Sequence, residues 1–206
     1  MRPEDLQRVR PGFHDAALGS QAVFRRALQA LSLPGRPVDL PAVATLPATG
    51  KGAAALLLLA LLDSDCTLWL SPSLADSDAA AWLRFHTGCR RVFEPGEARF
   101  LWLAEGDAWP ALDAMPAGSD EYPDQSATCV MEVPSLQGEP LWRLQGPGIP
   151  GEQALCAQGL PADFAAQWAA NHAAFPRGVD LFLATGTQVL GLPRSTRVAM
   201  TTAMEA

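Results

Sequence analysis

Four side chains are positively charged or titratable and lie at predicted ends of helices or strands, where they could bind an anion. They are Arg84, His86, Arg177 and Arg194. Arginine binds carboxylates and phosphates through two parallel hydrogen bonds. Arg84 and His86 fall at the predicted end of a helix, where they would equally bond the last carbonyl groups and complement the helix dipole. They are therefore candidates for ligand or partner binding, with helix capping as the alternative.

Arg177 and Arg194 bracket the last two predicted strands, residues 179–184 and 188–192. A hairpin can bring its outer ends to one edge of a sheet. Asp180 follows Arg177 by three residues, so one arginine can be paired within the chain while the other meets a partner's acid or a phosphate. We expect Arg177 to be the internally paired residue and Arg194 the free one.

The segment Ala48-Thr49-Gly50-Lys51-Gly52 resembles part of a phosphate-binding loop, but Thr45 and Gly52 stand where that loop needs Gly and Ser or Thr. We interpret it as a helix start with a solvated lysine. Because Lys51 is the single lysine of the chain, it is also the only possible Schiff-base residue for pyridoxal phosphate. Its place between two flexible glycines predicts that this cofactor does not bind.

The sequence contains few other patterns that are typical of catalytic, metal-binding or phosphate-binding sites. There is no Gly-x-Ser-x-Gly elbow, and the three histidines are far apart in the sequence. The acidic pairs Asp63/Asp65 and Asp76/Asp78 fit turns and helix caps better than a metal loop. The glycine-rich segment 146–151 contains two prolines, which supply no N–H to an anion, and is predicted to be a turn between strands. We expect no metal site, and no catalytic residue can be named.

Composition narrows the possible partners and the compartment. The 206 residues include 49% hydrophobic and 18% charged residues, which indicates a globular chain forming one domain over residues 1–206. A net charge of −7 argues against nucleic acid. The longest apolar run, residues 53–62, is too short to span a membrane. Six tryptophans and eight phenylalanines suggest a homodimer interface.

Four widely separated cysteines predict reduced, buried thiols. Since no apolar signal segment opens the sequence, we expect a cytoplasmic protein.

Periodicity predicts helices near residues 20–33, with Ser20 as the cap, and near 49–62, 77–86 and 161–174. Strands are predicted at 36–40, 66–70, 91–93, 100–103, 128–133 and 141–144, before the closing hairpin. Helices alternate with strands in the first half, and strands cluster in the second. This order favours an α/β fold with a mixed sheet and helices on both faces.

Several segments, read together, resemble one family. They are Phe24-Arg25-Arg26-Ala27-Leu28, Ser32-Leu33-Pro34-Gly35, Leu83-Arg84-Phe85-His86-Thr87, Gly146-Pro147-Gly148-Ile149, Phe175-Pro176-Arg177-Gly178-Val179-Asp180 and Pro193-Arg194-Ser195-Thr196. Over residues 13–198 the chain resembles the H subunit of the carbon–phosphorus lyase core complex, the PhnH family of phosphonate metabolism.

The resemblance implies an α/β/α sandwich similar to pyridoxal-phosphate-dependent transferases but without the cofactor site. It also implies a homodimer when isolated, and the G, I and J subunits as partners. Its function would be that of an accessory subunit, supporting formation of ribose 1-alkylphosphonate 5-triphosphate from an alkylphosphonate and MgATP, which is a substrate of the complex. The alternative is a stand-alone ATP- or phosphoester-binding transferase that uses Arg84, His86, Arg177 and Arg194.

Overall fold

A seven-stranded mixed β-sheet forms the centre of the structure, a computed structural model that describes residues 10–201. The strands are β1 (Val38–Asp39), β2 (Thr67–Leu70), β3 (Arg90–Arg91), β4 (Phe100–Leu103), β5 (Thr128–Glu132), β6 (Trp142–Gln145), β7 (Gln153–Leu155), β8 (Asp180–Ala184), β9 (Gln188–Leu192) and β10 (Arg197–Met200). The α-helices are α1 (Ala16–Ser32), α2 (Gly52–Leu61), α3 (Pro72–Ala75), α4 (Asp78–Thr87) and α5 (Phe164–Ala173).

The order of the large sheet is β1-β9-β8-β5-β4-β2-β3. The five strands from β8 to β3 are parallel to one another, while β9 and β1 join antiparallel at one side. Strands β10, β6 and β7 form a separate antiparallel sheet. Parallel strands have their carboxyl ends at one edge of a sheet, which is where α/β proteins commonly bind ligands.

Helices α1, α2 and α4 cover one face of the large sheet. The apolar residues 53–59 of α2 are all buried, as expected for a helix covered on several sides. All of them except Leu56 pack in one cluster with Leu68, Trp102 and Phe182 of the sheet and with Trp82 of α4. Burial of this apolar surface is the main force that holds the helices on the sheet.

The opposite face is covered by α5 together with the three-stranded sheet. Phe164 and Trp168 of α5 form a second buried cluster with Trp142 of β6 and with Leu101 and Leu181 of the large sheet. The expectation of a mixed α/β fold is confirmed. The expectation that helices cover both faces is only partly correct, because β6, β7 and β10 take up much of the second face.

Local signals explain most helix limits. Ser77 caps α4 by accepting the N–H of Ala79 (3.2 Å), and Gly88 ends it in the left-handed conformation (φ 72°). The prediction of Ser20 as a helix cap was wrong. Helix α1 begins at Ala16, because Asp15 accepts the N–H of Leu18 (2.9 Å).

Two strands were missed by the sequence reading. Strand β10 follows the β8–β9 hairpin, so that hairpin does not close the chain, and it pairs with β6. Strand β7 pairs with the other side of β6, with Trp142 opposite Leu155. The glycine-rich segment 146–151 is the turn between β6 and β7, as predicted.

Candidate functional site

Arg84 and His86 lie in the last turn of α4. The His86 Nε2 donates to the backbone carbonyl of Arg10 (2.9 Å), and its ring packs edge-on against Trp82 with centroids 5.2 Å apart. The Arg84 side chain is exposed. The histidine therefore ties the segment before α1 to the end of α4, while Arg84 remains accessible.

Arg194 is held inside the protein. Its side-chain Nε and Nη2 donate to the two oxygens of the Asp180 carboxylate (3.2 and 2.5 Å). The backbone N–H of Arg194 donates to the same carboxylate (2.8 Å). Nη1 donates to the carbonyls of Pro123 (2.8 Å) and Pro176 (3.3 Å), and Nη2 also donates to the Ser126 hydroxyl. Only 13% of the Arg194 side chain is exposed. This arginine fastens three loops together at the amino edge of the parallel strands.

Arg177 has the opposite character. Its Nε lies 3.1 Å from the Asp120 carboxylate, and both side chains are largely exposed, at 48% and 81%. The expectation that Arg177 pairs internally and leaves Arg194 free is therefore reversed. The antiparallel register, with Leu181 opposite Leu192, places Asp180 beside the residues that follow β9. Asp180 consequently reaches Arg194, which is remote in sequence, rather than its neighbour Arg177.

The four candidates thus occupy separate places. Arg84 and His86 belong to α4, on the helical face beyond the β2–β3 side of the sheet, and Arg177 and Arg194 belong to the ends of the β8–β9 hairpin. Within residues 10–201, no hydrogen bond or ion pair joins Arg84 or His86 to Arg177 or Arg194, because the bonds that these side chains form are only to residues near them.

A polar cluster that the sequence reading missed lies at the carboxyl edge of the parallel strands. Glu132, the last residue of β5, is 95% buried by side-chain packing, with a relative exposure of 5%. One of its oxygens accepts the N–H of Lys51 (2.5 Å) and the indole N–H of Trp102 (2.9 Å). The other accepts the N–H of Glu105 (3.2 Å). Three donors satisfy this buried carboxylate, as burial of a charge requires.

The single lysine joins the same cluster. Lys51 immediately precedes α2, and its Nζ lies 2.8 Å from the Glu105 carboxylate. The prediction that a helix starts here is confirmed, but Lys51 is ion-paired rather than merely solvated. The Glu132 carboxylate occupies the position at the start of α2 where a bound anion would accept backbone N–H groups. Of these groups it accepts the N–H of Lys51, while the N–H of Ala53 donates to the carbonyl of Thr185 (3.3 Å).

The glycines beside Lys51 serve close packing. A Cβ at Gly50 would collide with the Trp102 ring, and one at Gly52 would lie 2.7 Å from the carbonyl oxygen of Gly186. Gly50 also has a positive φ of 83°. These requirements account for the Gly-Lys-Gly sequence without a phosphate-binding role.

A cavity of about 410 Å³ opens beside this cluster, lined in part by Glu105, Asp107, Trp109 and Glu132. Asp107 accepts the N–H (2.9 Å) and the hydroxyl (2.6 Å) of Ser73. Burial acts to raise the pKa of Asp107, but hydrogen bonds from Ser71 and Ser73 outweigh it and hold that pKa below its ordinary value of 3.8. Three carboxylates and the single cation of Lys51, which pairs with Glu105, give this part of the structure an acidic character that disfavours a phosphate group.

Within residues 10–201, no group of three or more His, Cys, Asp or Glu side chains is arranged to hold a metal ion. The acidic pairs of the sequence have structural roles. Asp63 accepts the N–H groups of Asp65 (2.9 Å) and Cys66 (3.1 Å), and Asp78 accepts those of Ala48 (2.6 Å) and Thr49 (3.0 Å). The Asp63 contacts form the predicted turn, whereas Asp78 ties the distant segment before α2 to the first turn of α4, a role that was not predicted.

Two further expectations can be compared with the structure. Of the four free thiols, Cys89 and Cys129 are buried, while Cys66 and Cys156 are partly exposed, so the expectation that all four are buried was wrong for the latter two. Among the helices in the described range, none has both the length and the hydropathy needed to cross a bilayer.

Comparison with known proteins identifies the family. Residues 11–199 match the family model described as bacterial phosphonate metabolism protein (PhnH). The chain belongs to the PhnH family. The resemblance inferred from the sequence over residues 13–198 is thereby confirmed.

Two relatives of this PhnH-family chain span most of its length. It is 40% identical over 186 residues to the alpha-D-ribose 1-methylphosphonate 5-triphosphate synthase subunit PhnH of Rhizobium meliloti (strain 1021), covering 90% of this chain and 93% of the relative. It is 39% identical over 180 residues to the putative C-P lyase subunit protein HtxG of Stutzerimonas stutzeri, covering 86% and 85%.

Proposed function

We propose that this chain is an accessory subunit of a carbon–phosphorus lyase complex. In that complex it would support the formation of ribose 1-alkylphosphonate 5-triphosphate from an alkylphosphonate and MgATP. The observation that carries this proposal is the 40% identity, over nine-tenths of the chain, to a relative named as a subunit of a ribose 1-methylphosphonate 5-triphosphate synthase. We propose the G, I and J subunits of the core complex as its partners.

An accessory role agrees with how the polar groups of the described residues are used. The guanidinium of Arg194 donates to the Asp180 carboxylate, to two loop carbonyls and to the Ser126 hydroxyl. The Glu132 carboxylate accepts N–H groups of the protein itself. Groups held in this way fix the positions of loops. Substrate chemistry in the complex would then be carried by other subunits, with this chain contributing a rigid surface.

The alternative, a stand-alone transferase, needs a convergent site for a phosphate. Arg84 and His86 lie apart from Arg177 and Arg194 in the fold, and the cavity at the carboxyl edge is lined by acids. These features favour the accessory role over the alternative.

Co-expression tests the proposal. The tagged chain is produced with the G, I and J subunits, and the purified material is supplied with MgATP and methylphosphonate. We expect the four proteins to elute together and the isolated chain to release no adenine from MgATP. Purification of the tagged chain by itself, while the other three subunits assemble normally, would contradict the proposal, and adenine release by the chain alone would favour the stand-alone transferase.

We also propose that this chain binds no pyridoxal phosphate. An internal aldimine needs a free lysine amine, whereas Lys51 Nζ is paired with Glu105 at 2.8 Å. The test is titration with pyridoxal phosphate. An aldimine absorbance band that is present in the wild type and lost in Lys51→Ala would contradict the proposal.

For the isolated chain we propose a homodimer, supported by exposed apolar side chains such as Phe93 (75%) and Phe175 (61%). Sedimentation as a monomer at micromolar concentration would contradict it. We also propose a cytoplasmic location, which the four free thiols support because free thiols persist in a reducing compartment.

A further inference from the structure

The outward face of α1 is unusually apolar for a solvent-exposed surface. Leu18, Phe24 and Leu28 are 67%, 45% and 51% exposed, while the opposite side of the helix, which includes Val23 and Ala27, is buried against the protein. These exposed side chains do not belong to either buried cluster. Burying them against another protein would be favourable, because apolar area removed from water contributes roughly 25 cal/mol per Å².

The same face is positively charged. Arg25 lies on this face, while Arg26, about 100° further around the helix, lines a neighbouring groove. Both arginines are exposed, and α1 contains no acidic residue, although the whole chain has a net charge of −7. No ion pair to either arginine occurs among residues 10–201, and Arg26 donates only to the Gln29 side chain of the same helix (3.0 Å). An acidic surface is therefore the complement of this helix.

The spacing on this face is that of a helix-packing ridge. Leu18, Gln21, Arg25 and Leu28 follow one another at intervals of three, four and three residues, which places them in one strip along the helix. Beside the strip lies a groove of about 430 Å³, lined by Gln21, Ala22, Arg25, Arg26, Gln29 and Pro41. A helix laid along the strip can place side chains in this groove.

We propose that the outward face of α1 is the docking surface for an amphipathic helix of a partner subunit, whose acidic side chains meet Arg25 while its apolar side chains cover Phe24 and Leu28. This inference rests on the proposed function, because the partner is a subunit of the same complex. A second copy of this chain fits less well, since a symmetric contact through α1 would bring the arginines of the two copies together. An anionic membrane fits less well because the helix has only two cationic residues.

The test compares matched variants in the reconstituted complex. Arg25→Glu is compared with Arg90→Glu, an exposed arginine of β3, which lies at the far end of the sheet from β9 and β1, the strands under α1. In the same way, Phe24→Ala is compared with Tyr122→Ala, because the two aromatic side chains are 45% and 50% exposed. All these side chains are substantially exposed, so the variants should keep the wild-type melting temperature.

We expect the α1 variants to weaken binding to the co-expressed G, I and J subunits by at least about tenfold, and the control variants to leave it unchanged. Added salt should weaken wild-type binding as well. If the wild type binds and the α1 variants bind equally well, the α1 inference is wrong while the proposed function stands. If the wild type itself does not bind, the proposed function fails, and the docking proposal with it.

Two other outcomes would overturn the inference while leaving the proposed function intact. Conversion of an isolated homodimer into a monomer by Phe24→Ala would show that α1 joins two copies of this chain. Binding of the wild type to vesicles that contain anionic phospholipid, abolished by Arg25→Glu, would show that the face binds a membrane.

Discussion

The guanidinium of Arg194 binds both oxygens of the Asp180 carboxylate, with Nη2 at 2.5 Å and Nε at 3.2 Å. The pair is largely buried, with 13% and 22% of the two side chains exposed. It joins the start of β8 to the segment that follows β9, and it also anchors the loop that precedes β5. Arg194 therefore holds these three segments together in the folded protein.

Replacing Arg194 should therefore destabilise the protein strongly. Removing one partner of a buried pair leaves the other charge without compensation, which costs about 3–5 kcal/mol. We expect Arg194→Ala to lower the free energy of unfolding by that amount in urea denaturation. Arg177→Ala, which removes an exposed pair with Asp120, should cost less than about 1 kcal/mol. Equal costs for the two variants would contradict this account.

Glu132→Gln tests the carboxyl-edge cluster. The buried carboxylate accepts N–H groups on both oxygens, and an amide can accept on only one. An unsatisfied buried donor costs about 1–3 kcal/mol, so the variant should unfold at lower denaturant concentration. The control is Glu105→Gln, whose side chain is 42% exposed. A Glu132→Gln variant as stable as this control would show that the cluster does not hold the edge together.

The carboxylate of Asp78 should make the stability of the folded protein depend on pH in the acidic range. Burial acts to raise its pKa, but hydrogen bonds from Thr49 and from the N–H of Ala48 outweigh that effect and hold the pKa below 3.8. A depressed folded-state pKa stabilises the protein above the unfolded value, and this contribution is lost as the pH falls through the lower folded value. We expect Asp78→Asn to melt below the wild type at pH 7, and we expect this difference to shrink progressively as the pH falls below 3.8. A constant difference across this range would exclude the carboxylate as the cause.

The cysteines should differ in reactivity. Burial raises the pKa of the Cys129 thiol to about 12, and it raises the pKa of Cys89 as well, so both remain protonated and unreactive in the folded protein. Cys156 is partly exposed and should react first with iodoacetamide, followed by Cys66, whose pKa burial also raises. Peptide mass spectrometry of partly labelled protein checks the order. Labelling of Cys129 before unfolding would contradict the packing described here.

Local signals in the sequence were sufficient for much of the fold. The Ser77 cap and Gly88 end define α4, and the apolar run after Lys51 defines α2, because capping and burial act over a few residues. Strands β7 and β10 were missed because each is short and gains its hydrogen bonds only by pairing with β6. Such pairing depends on contacts between distant segments, which local propensity does not encode.

In the candidate sites, too, the residue types could be predicted from the sequence, but the contacts between distant residues could not. Arg194 was recognised as a residue of interest, but its partner could be known only from the register of β8 and β9. Glu132 was missed, although one signal was available: it is an acid at the end of the strongly apolar segment 128–133, where a parallel strand reaches the carboxyl edge of the sheet.

The central claim is that this chain acts as a subunit of a phosphonate-processing complex. Adenine release from MgATP in the presence of methylphosphonate, measured for the co-expressed complex with and without this chain, tests it most directly. We expect release to require this chain and to be restored when the purified wild-type chain is added back, while the chain alone releases none. Full release by the other subunits in its absence would contradict the claim.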